Sequence, residues 1–287
     1  IKSKLKLGKD SAESENYNKT EFLSSTAHEL KNMLFGTINN ANLLKSNIKN
    51  PSSDNHVEES ISLADEIIKL GEESSTFVND ILDVNQAQTG DFKIEEHEVI
   101  NLEDIVTRSI NIIKHRAIRD NKNIVYKATE NSDKELIAHN LDPRRVKQII
   151  VNIISNSIKY SNQNSEINVT LQTLSKEDSN KINKEIEDNL TNNPDIDNRR
   201  ISQLVDAIRS RQKPRISITI VDDGIGMSEQ EINVATQKYK KIHNEFAQKV
   251  DSTGLGLSIV KYLVEAQGGL LIIESKINEG TTVKVIF

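Results

Sequence analysis

The 287-residue chain has no cysteine and no tryptophan, four prolines and two methionines, and only 4% of it is aromatic. Without cysteine there is no disulfide framework, no thiolate nucleophile and no thiolate metal site. Such a composition suits a reducing compartment, and a cytoplasmic location is expected. With so few aromatic residues, the core must be built mainly from Ile, Leu and Val. No run of about 18 apolar residues occurs, so no membrane span or membrane contact is expected of this stretch. The opening IKSKLKLGKD lacks the apolar run of a signal peptide. The chain starts at Ile1 and not at Met. It is therefore expected to be part of a longer protein, whose remainder would hold any membrane anchor or sensor. The net charge of −6 speaks against a general nucleic-acid binder.

What is present, 36% apolar and 28% charged residues, reads as soluble and globular and is enough for two ordinary domains. Residues 1–18 are a polar lead-in. From Lys19 a helical stripe begins, with Leu23, Ala27, Leu30, Leu34, Ile38 and Ala41 spaced by three or four. Asn50-Pro51-Ser52-Ser53-Asp54 breaks it. Val57, Ile61, Ala64, Ile68, Phe77, Ile81 and Val84 then form a second stripe that stops near Gly90. Two such helices cannot bury much against each other. The spacing therefore predicts a hairpin over 19–90 that pairs with its own copy as a four-helix bundle. A hairpin packed inside one domain is the plainer alternative.

From 91 to 287 the pattern becomes mixed. FKIEEHEVI, NIVYKATE, EINVTLQ, RISITIV, LLIIES and TTVKVIF read as strands by alternation and β-branched content. NLEDIVTRSINIIKHRAIRD and PRRVKQIIVNIISNSIKYS read as amphipathic helices. The fold class is thus multi-domain: an all-α dimeric bundle, then an α+β two-layer sandwich with helices on one face of a mixed sheet. About 40 residues, 173–215, interrupt it. KEDSNKINKEIEDNLTNNPDIDN is charged and Asn-rich, and a solvated insertion is expected there. RRISQLVDAIRSRQ within it reads as a short basic amphipathic helix.

Four stretches carry chemistry. STAHELKNMLFGT places His28, Glu29 and Asn32 on one helix. A zinc site of the H-E-x-x-H kind would need a second histidine where Asn32 stands. QIIVNIISNSIKYS sets Asn152 and Asn156 one turn apart on an apolar helix, so they share a face. Amide oxygens there can meet a hard cation beside phosphates, though two amides on a helix are also an ordinary polar rim. ITIVDDGIGM runs a strand into Asp222, with Gly224 and Gly226 allowing a tight turn and close backbone approach. Such a carboxylate can accept from an exocyclic amine, and the same residues also fit a simple turn. STGLGLSIVKYL puts Gly254, Leu255 and Gly256 before a helix, whose free N–H groups and dipole favour an anion.

In this order the motifs resemble those of the sensor histidine kinases of two-component systems, from about Lys19 to Phe287 apart from the insertion. AHELKN resembles their phosphoacceptor box, DPRRVKQIIVNIISNSIKYS their N box, and the glycine motifs their two G boxes. The resemblance implies ATP and Mg²⁺ as cofactors in a domain of the GHKL ATPase type. Asp222 would hold the adenine amino group. Asn156, helped by Asn152, would hold Mg²⁺ and phosphates, with Lys159 on phosphate and Tyr160 beside the base. Gly224, Gly226, Gly254, Leu255 and Gly256 would let the backbone approach the nucleotide. The γ-phosphoryl would pass to His28, with Glu29 bonding the ring and taking its proton, and then to an aspartate of a response-regulator receiver domain. An amide at Asn32 would position water for dephosphorylating that receiver, adding phosphatase action. A homodimer is implied.

Two departures stand out. Met33 occupies the place of a usual proline, so the kink below the histidine is not expected, with modest consequence. The lid stretch TQKYKKIHNEFAQKVDS lacks a phenylalanine-rich box, leaving Lys238, Lys240, Lys241 and Phe246 as substitutes. A gyrase-like or chaperone-like ATPase is the enzymatic rival. It would need a glutamate base one turn before the metal asparagine, where Asn152 cannot serve. A degenerate ATP-binding dimeric scaffold is the non-enzymatic rival.

Overall fold

The computed structural model describes residues 2–49, 55–89, 94–129, 136–191, 196, 198–209, 214–237 and 255–287. The chain divides into two compact units, Ile1–Asp83 and Val84–Phe287.

The first unit is built on α1 (Lys2–Lys49) and α2 (His56–Thr89). Asn40 Nδ2 donates to Glu66 Oε2 at 3.2 Å, and a Cβ added at Gly36 would lie 3.1 Å from Leu70 Cδ1. Four residues back along α1 is thus four forward along α2, so the helices run antiparallel in close contact. Helix α1 continues unbroken through Met33, as the missing proline leads one to expect. The apolar stripe is not consumed by this pairing. Leu34, Phe35, Ile38, Ile61 and Ile68 are all more than half exposed in the single chain. The break at 50–54 lies outside the described residues.

The second unit is built on a five-stranded sheet whose strands, from one edge to the other, are 123–129, 166–173, 216–222, 280–286 and 270–276. Its strands are β2 (Asn123–Thr129), β4 (Glu166–Thr173), β5 (Ile216–Asp222), β6 (Leu270–Lys276) and β7 (Gly280–Ile286). Only β2 and β4 pair in parallel. Val169, Ile220 and Val283 face each other across three strands, as do Leu171, Ile218 and Val285. All six are buried. Against this face pack α3 (Leu102–Arg119), α4 (Pro143–Tyr160) and α8 (Gly256–Glu265). Helix α4 buries Val146, Ile149, Ile150, Ile153, Ile154, Ser157 and Ile158, the spacing of one helical face. Each apolar member contributes about 1.5–3 kcal/mol.

Between β4 and β5 the chain forms α5 (Lys176–Thr191) and α6 (Asn198–Arg209). The solvated insertion expected there instead carries its own core. Ile186, Leu190, Ile196, Leu204 and Ile208 are buried with Leu270 and Ile286. Ile286 pairs with Ser217 and Leu270, one register step from Val285, so it points to the opposite side of the sheet. The α5–α6 pair therefore covers one end of the face that α3, α4 and α8 leave free. The short α7 (Glu229–Ala235) completes the unit and is closed by a capping box between Ser228 and Glu231.

FKIEEHEVI was expected as a strand along its length. Within the described residues only β1 (Ile100–Asn101) forms there, paired with β3 (Ile137–Ala138), together with a bridge from His97 to Leu141. Alternation alone does not supply a neighbour to bond with. The segment is held instead by Asp142, which is fully buried. Its carboxylate caps α4 through the N–H of Arg144 at 2.9 Å and accepts the N–H of Glu95 at 3.0 Å. Its own N–H donates to Gln267 Oε1 at 2.8 Å. Burial pushes the Asp142 carboxyl up, but the Glu95 N–H and the Arg144 bonds and charge outweigh this and leave it below the usual aspartate value. A lowered folded value means stability present above the unfolded value and lost as pH falls through the folded one. Asp142→Ala is expected to cost about 1–3 kcal/mol by urea unfolding at neutral pH. The gap to the parent chain should narrow in acid.

Candidate functional site

Helix α4 and the end of β5 bring the predicted residues of the second unit together. Asp222 ends β5 with 9% exposure. Ser157 donates its hydroxyl to Asp222 Oδ2 at 2.9 Å, and the Gly224 N–H reaches Oδ1 at 3.0 Å. Burial pushes this carboxyl above its usual value, against the Ser157, Gly224 and Thr281 hydrogen bonds that favour the charged form. It is thus a held acceptor in a low-dielectric setting, where an added donor counts for more than in water.

The turn after Asp222 is fixed from three sides. Ile225 N–H donates to the carbonyl of Tyr160, the last residue of α4, at 3.1 Å. Asn278 N–H donates to Ile225 O at 2.7 Å, and Met227 N–H to Ser275 Oγ at 2.8 Å. Gly226 has φ +63°, and a Cβ there would overlap the Lys276 carbonyl. At Gly224 a Cβ would collide with the Tyr160 carbonyl. These two glycines let the turn lie flat on α4 and the β6–β7 hairpin.

Asn156 and Asn152 lie half-buried on α4. Asn156 faces the start of α8: a Cβ on Gly256 would lie 3.3 Å from Asn156 Nδ2. The Asn152 Nδ2 is buried and has no hydrogen-bond partner among the described residues. Leu255, at the α8 N-cap position, is buried and makes no side-chain cap bond. A leucine side chain has no acceptor, so it caps none of the first N–H groups of α8. Lys159 and Tyr160 sit half-buried in the last turn of α4. Gly254, and with it Lys238, Lys240, Lys241 and Phe246, lies outside the described residues.

These groups suit a nucleotide with a divalent cation. Among the described residues no cluster of three His, Cys, Asp or Glu side chains could hold a metal alone. Any Mg²⁺ would rest on amide oxygens and on the phosphates themselves, and would keep several of its waters, since this ion dehydrates reluctantly.

On the first unit, His28 and Asn32 are exposed and Glu29 is half-buried. Asn32 Nδ2 lies 3.2 Å from His28 Nδ1, as residues four apart on a helix allow.

Two contributors escaped the sequence reading. Ser157 is the polar member of an otherwise apolar buried face, a signal present in NIISNSIKY. Thr281 acts through its backbone N–H, which no residue type announces.

Residues 205–287 match the family described as histidine kinase-, DNA gyrase B-, and HSP90-like ATPase. The autoinducer 2 sensor kinase/phosphatase LuxQ of Vibrio cholerae is 27% identical over 93% of this chain and 26% of its own length. Histidine kinase 5 of Arabidopsis thaliana is 26% identical over 91% and 26%. The chain spans about a quarter of the length of the curated relatives it matches. Among solved structures, the Acinetobacter baumannii histidine kinase AdeS aligns over 91% of this chain and 96% of its own, with TM-score 0.54 and 15% identity. The histidine kinase ThkA, solved in complex with the response regulator TrrA, aligns over 93% and 60% with TM-score 0.54 and 14% identity. These structures share the fold: two long helices followed by a mixed sheet with helices. The family match gives the class, an ATPase domain of the GHKL type. The relatives along nearly the whole chain narrow it: the chain is a sensor histidine kinase relative carrying that ATPase domain.

Proposed function

We propose that this chain is a histidine autokinase core that binds ATP with Mg²⁺, phosphorylates His28 and passes the phosphoryl group to an aspartate of a response-regulator receiver domain. The observation that carries the reading is the held, buried Asp222 at one end of α4, with Asn156 and the start of α8 along the same helix. Asp222 would accept from the adenine amino group. The N–H groups at Gly256 and the Asn156 amide would meet phosphate, with Asn152, Lys159 and Tyr160 adding polar and stacking contacts. When bound, Mg²⁺ would neutralise phosphate charge during transfer. The chain's own part is to position the nucleotide and exclude misalignment, which for phosphoryl transfer supplies most of the catalysis. Glu29 would take the ring proton of His28, and Asn32 would direct water at the receiver's phosphoryl group in the reverse sense.

The domains would divide near residue 90, with the phosphoacceptor hairpin before it and the catalytic domain after it. The hairpin would function as a homodimer. Its exposed Leu34, Ile38, Ile61 and Ile68 are the apolar faces a second copy would cover. No described helix is long and apolar enough to cross a membrane.

Incubation with Mg²⁺ and γ-labelled ATP tests the reading. An acid-labile, base-stable label is expected on the parent chain and none on His28→Gln. Label retained by His28→Gln would remove the assignment. Rapid release of free phosphate without His28 would favour the ATPase rival.

A further inference from the structure

We infer that Asn32 is a positioning residue for His28 in autophosphorylation, setting which ring nitrogen carries the proton; this rests on the reading of His28 as phosphoacceptor. The ground is the contact between Asn32 Nδ2 and His28 Nδ1 at 3.2 Å. A neutral imidazole has one N–H and one lone pair, and its partner decides which nitrogen has which. With Asn32 on the Nδ1 side, Nε2 is the nitrogen turned away from the amide.

An amide has a donor end and an acceptor end of nearly equal size. With Nδ2 toward the ring, Asn32 donates to a bare Nδ1, the proton sits on Nε2, and Nε2 has no lone pair for attack. A half-turn about the Cβ–Cγ bond presents Oδ1, which accepts from Nδ1–H and leaves the Nε2 lone pair free. In that setting an Nε2–phosphorus bond forms and the bond from phosphorus to the bridging oxygen breaks. Its electron pair leaves with the β-phosphate oxygen of the nucleoside diphosphate. The ring is then cationic, and Oδ1 holds its Nδ1 proton until Glu29 takes it. Asn32 thus has one setting that silences His28 and one that arms it. This use of the amide is separate from placing water for a receiver, because it requires no receiver. Aspartate at 32 could only accept, and leucine could do neither.

The test uses the full chain, ¹⁵N-labelled at histidine, as parent, Asn32→Asp and Asn32→Leu. Position 32 is exposed, so the helix should tolerate all three, and circular dichroism checks that it does. Without nucleotide, Asn32→Asp should move the His28 ring shifts toward the Nδ1–H form. Asn32→Leu should move them to those of free histidine. In single turnover at saturating Mg²⁺-ATP, Asn32→Leu should label about 3- to 10-fold more slowly, the worth of one solvent-accessible hydrogen bond. Its KM for ATP should be unchanged, and Asn32→Asp should keep more of the rate than Asn32→Leu. Identical ring shifts in the three proteins, or an unchanged rate in Asn32→Leu, would overturn the inference. If His28→Gln still takes label, the phosphoacceptor reading has failed instead, so the two failures are distinct.

Discussion

Asp222→Asn is expected to weaken ATP binding about 10- to 100-fold and at the same time to make the nucleotide-free protein melt at a higher temperature. The first effect follows from the hydrogen-bond count. The carboxylate already accepts from the Ser157 hydroxyl and from the N–H groups of Gly224 and Thr281, which leaves one of its roughly four lone-pair sites for a further donor. Asparagine replaces one acceptor by a donor. The Ser157 hydroxyl can turn to accept from the new amide, but the Gly224 N–H cannot, so the remaining oxygen is drawn toward Gly224. The nucleotide's amino group then loses a charged acceptor, worth about 1.5–3 kcal/mol. The second effect follows from burial, which raises the Asp222 carboxyl above its usual value. A folded value above the unfolded one means stability that is full below the unfolded value and declines as pH rises through the folded value. At neutral pH the parent chain has lost that stability; a neutral asparagine has not. The melting advantage should therefore vanish in acid. Calorimetric titration with a non-hydrolysable ATP analogue and thermal melts at two pH values check both halves. Unchanged affinity would show that Asp222 does not read the base.

That opposition of binding against stability has a counterpart in what the sequence disclosed. The residues proposed to meet the nucleotide stood out by their spacing, Asn152 and Asn156 one turn apart, and Gly224 and Gly226 stand where an added Cβ would meet backbone atoms. Strands β2, β4, β5, β6 and β7 were legible because Val, Ile and Thr alternate in them. What failed did so for definable reasons. FKIEEHEVI alternates like a strand, but whether it pairs depends on a neighbour, and the neighbour is mostly a buried carboxylate 47 residues on, Asp142. Ser157 was passed over because a hydroxyl in an apolar stripe looks like a tolerated impurity until its partner, 65 residues away, is known. Composition misread 173–215 because it averages over faces. Ile182, Ile186 and Leu190 recur every four residues in a segment that is otherwise charged, and a window mean dilutes them.

The sharpest consequence of that misreading is that Leu190→Ala should destabilise the second unit by about 2–5 kcal/mol, as for other buried leucines. A merely solvated insertion would register nothing. Leu190 is 2% exposed and Ile186 1%, and they share a core with Leu270 and Ile286 of the sheet. Removing the side chain opens a cavity under β6 and β7, the strands whose hairpin carries Ser275 and Thr281 toward the Asp222 turn. The pair is also pinned from below. The buried Arg215 donates Nε to Asn183 Oδ1 at 2.6 Å and a terminal nitrogen to the Gly268 carbonyl at 2.9 Å. Its backbone N–H reaches Ser179 Oγ at 2.9 Å. One guanidinium thereby ties α5 to the turn that follows α8, the helix whose other end faces Asn156. A loss of 2–5 kcal/mol is a large share of the 5–15 kcal/mol by which a domain is ordinarily stable. Urea unfolding of Leu190→Ala should show it, with exposed Lys181→Ala and Lys184→Ala within about 0.5 kcal/mol of the parent. Equal stability of Leu190→Ala and Lys184→Ala would mean that α5 and α6 decorate the sheet without supporting it. If the expected difference is found, cutting 175–213 down to a short turn should leave Leu174, Leu270, Ile272 and Ile286 facing water. A contiguous apolar patch of that kind drives association, so the shortened chain should aggregate on refolding.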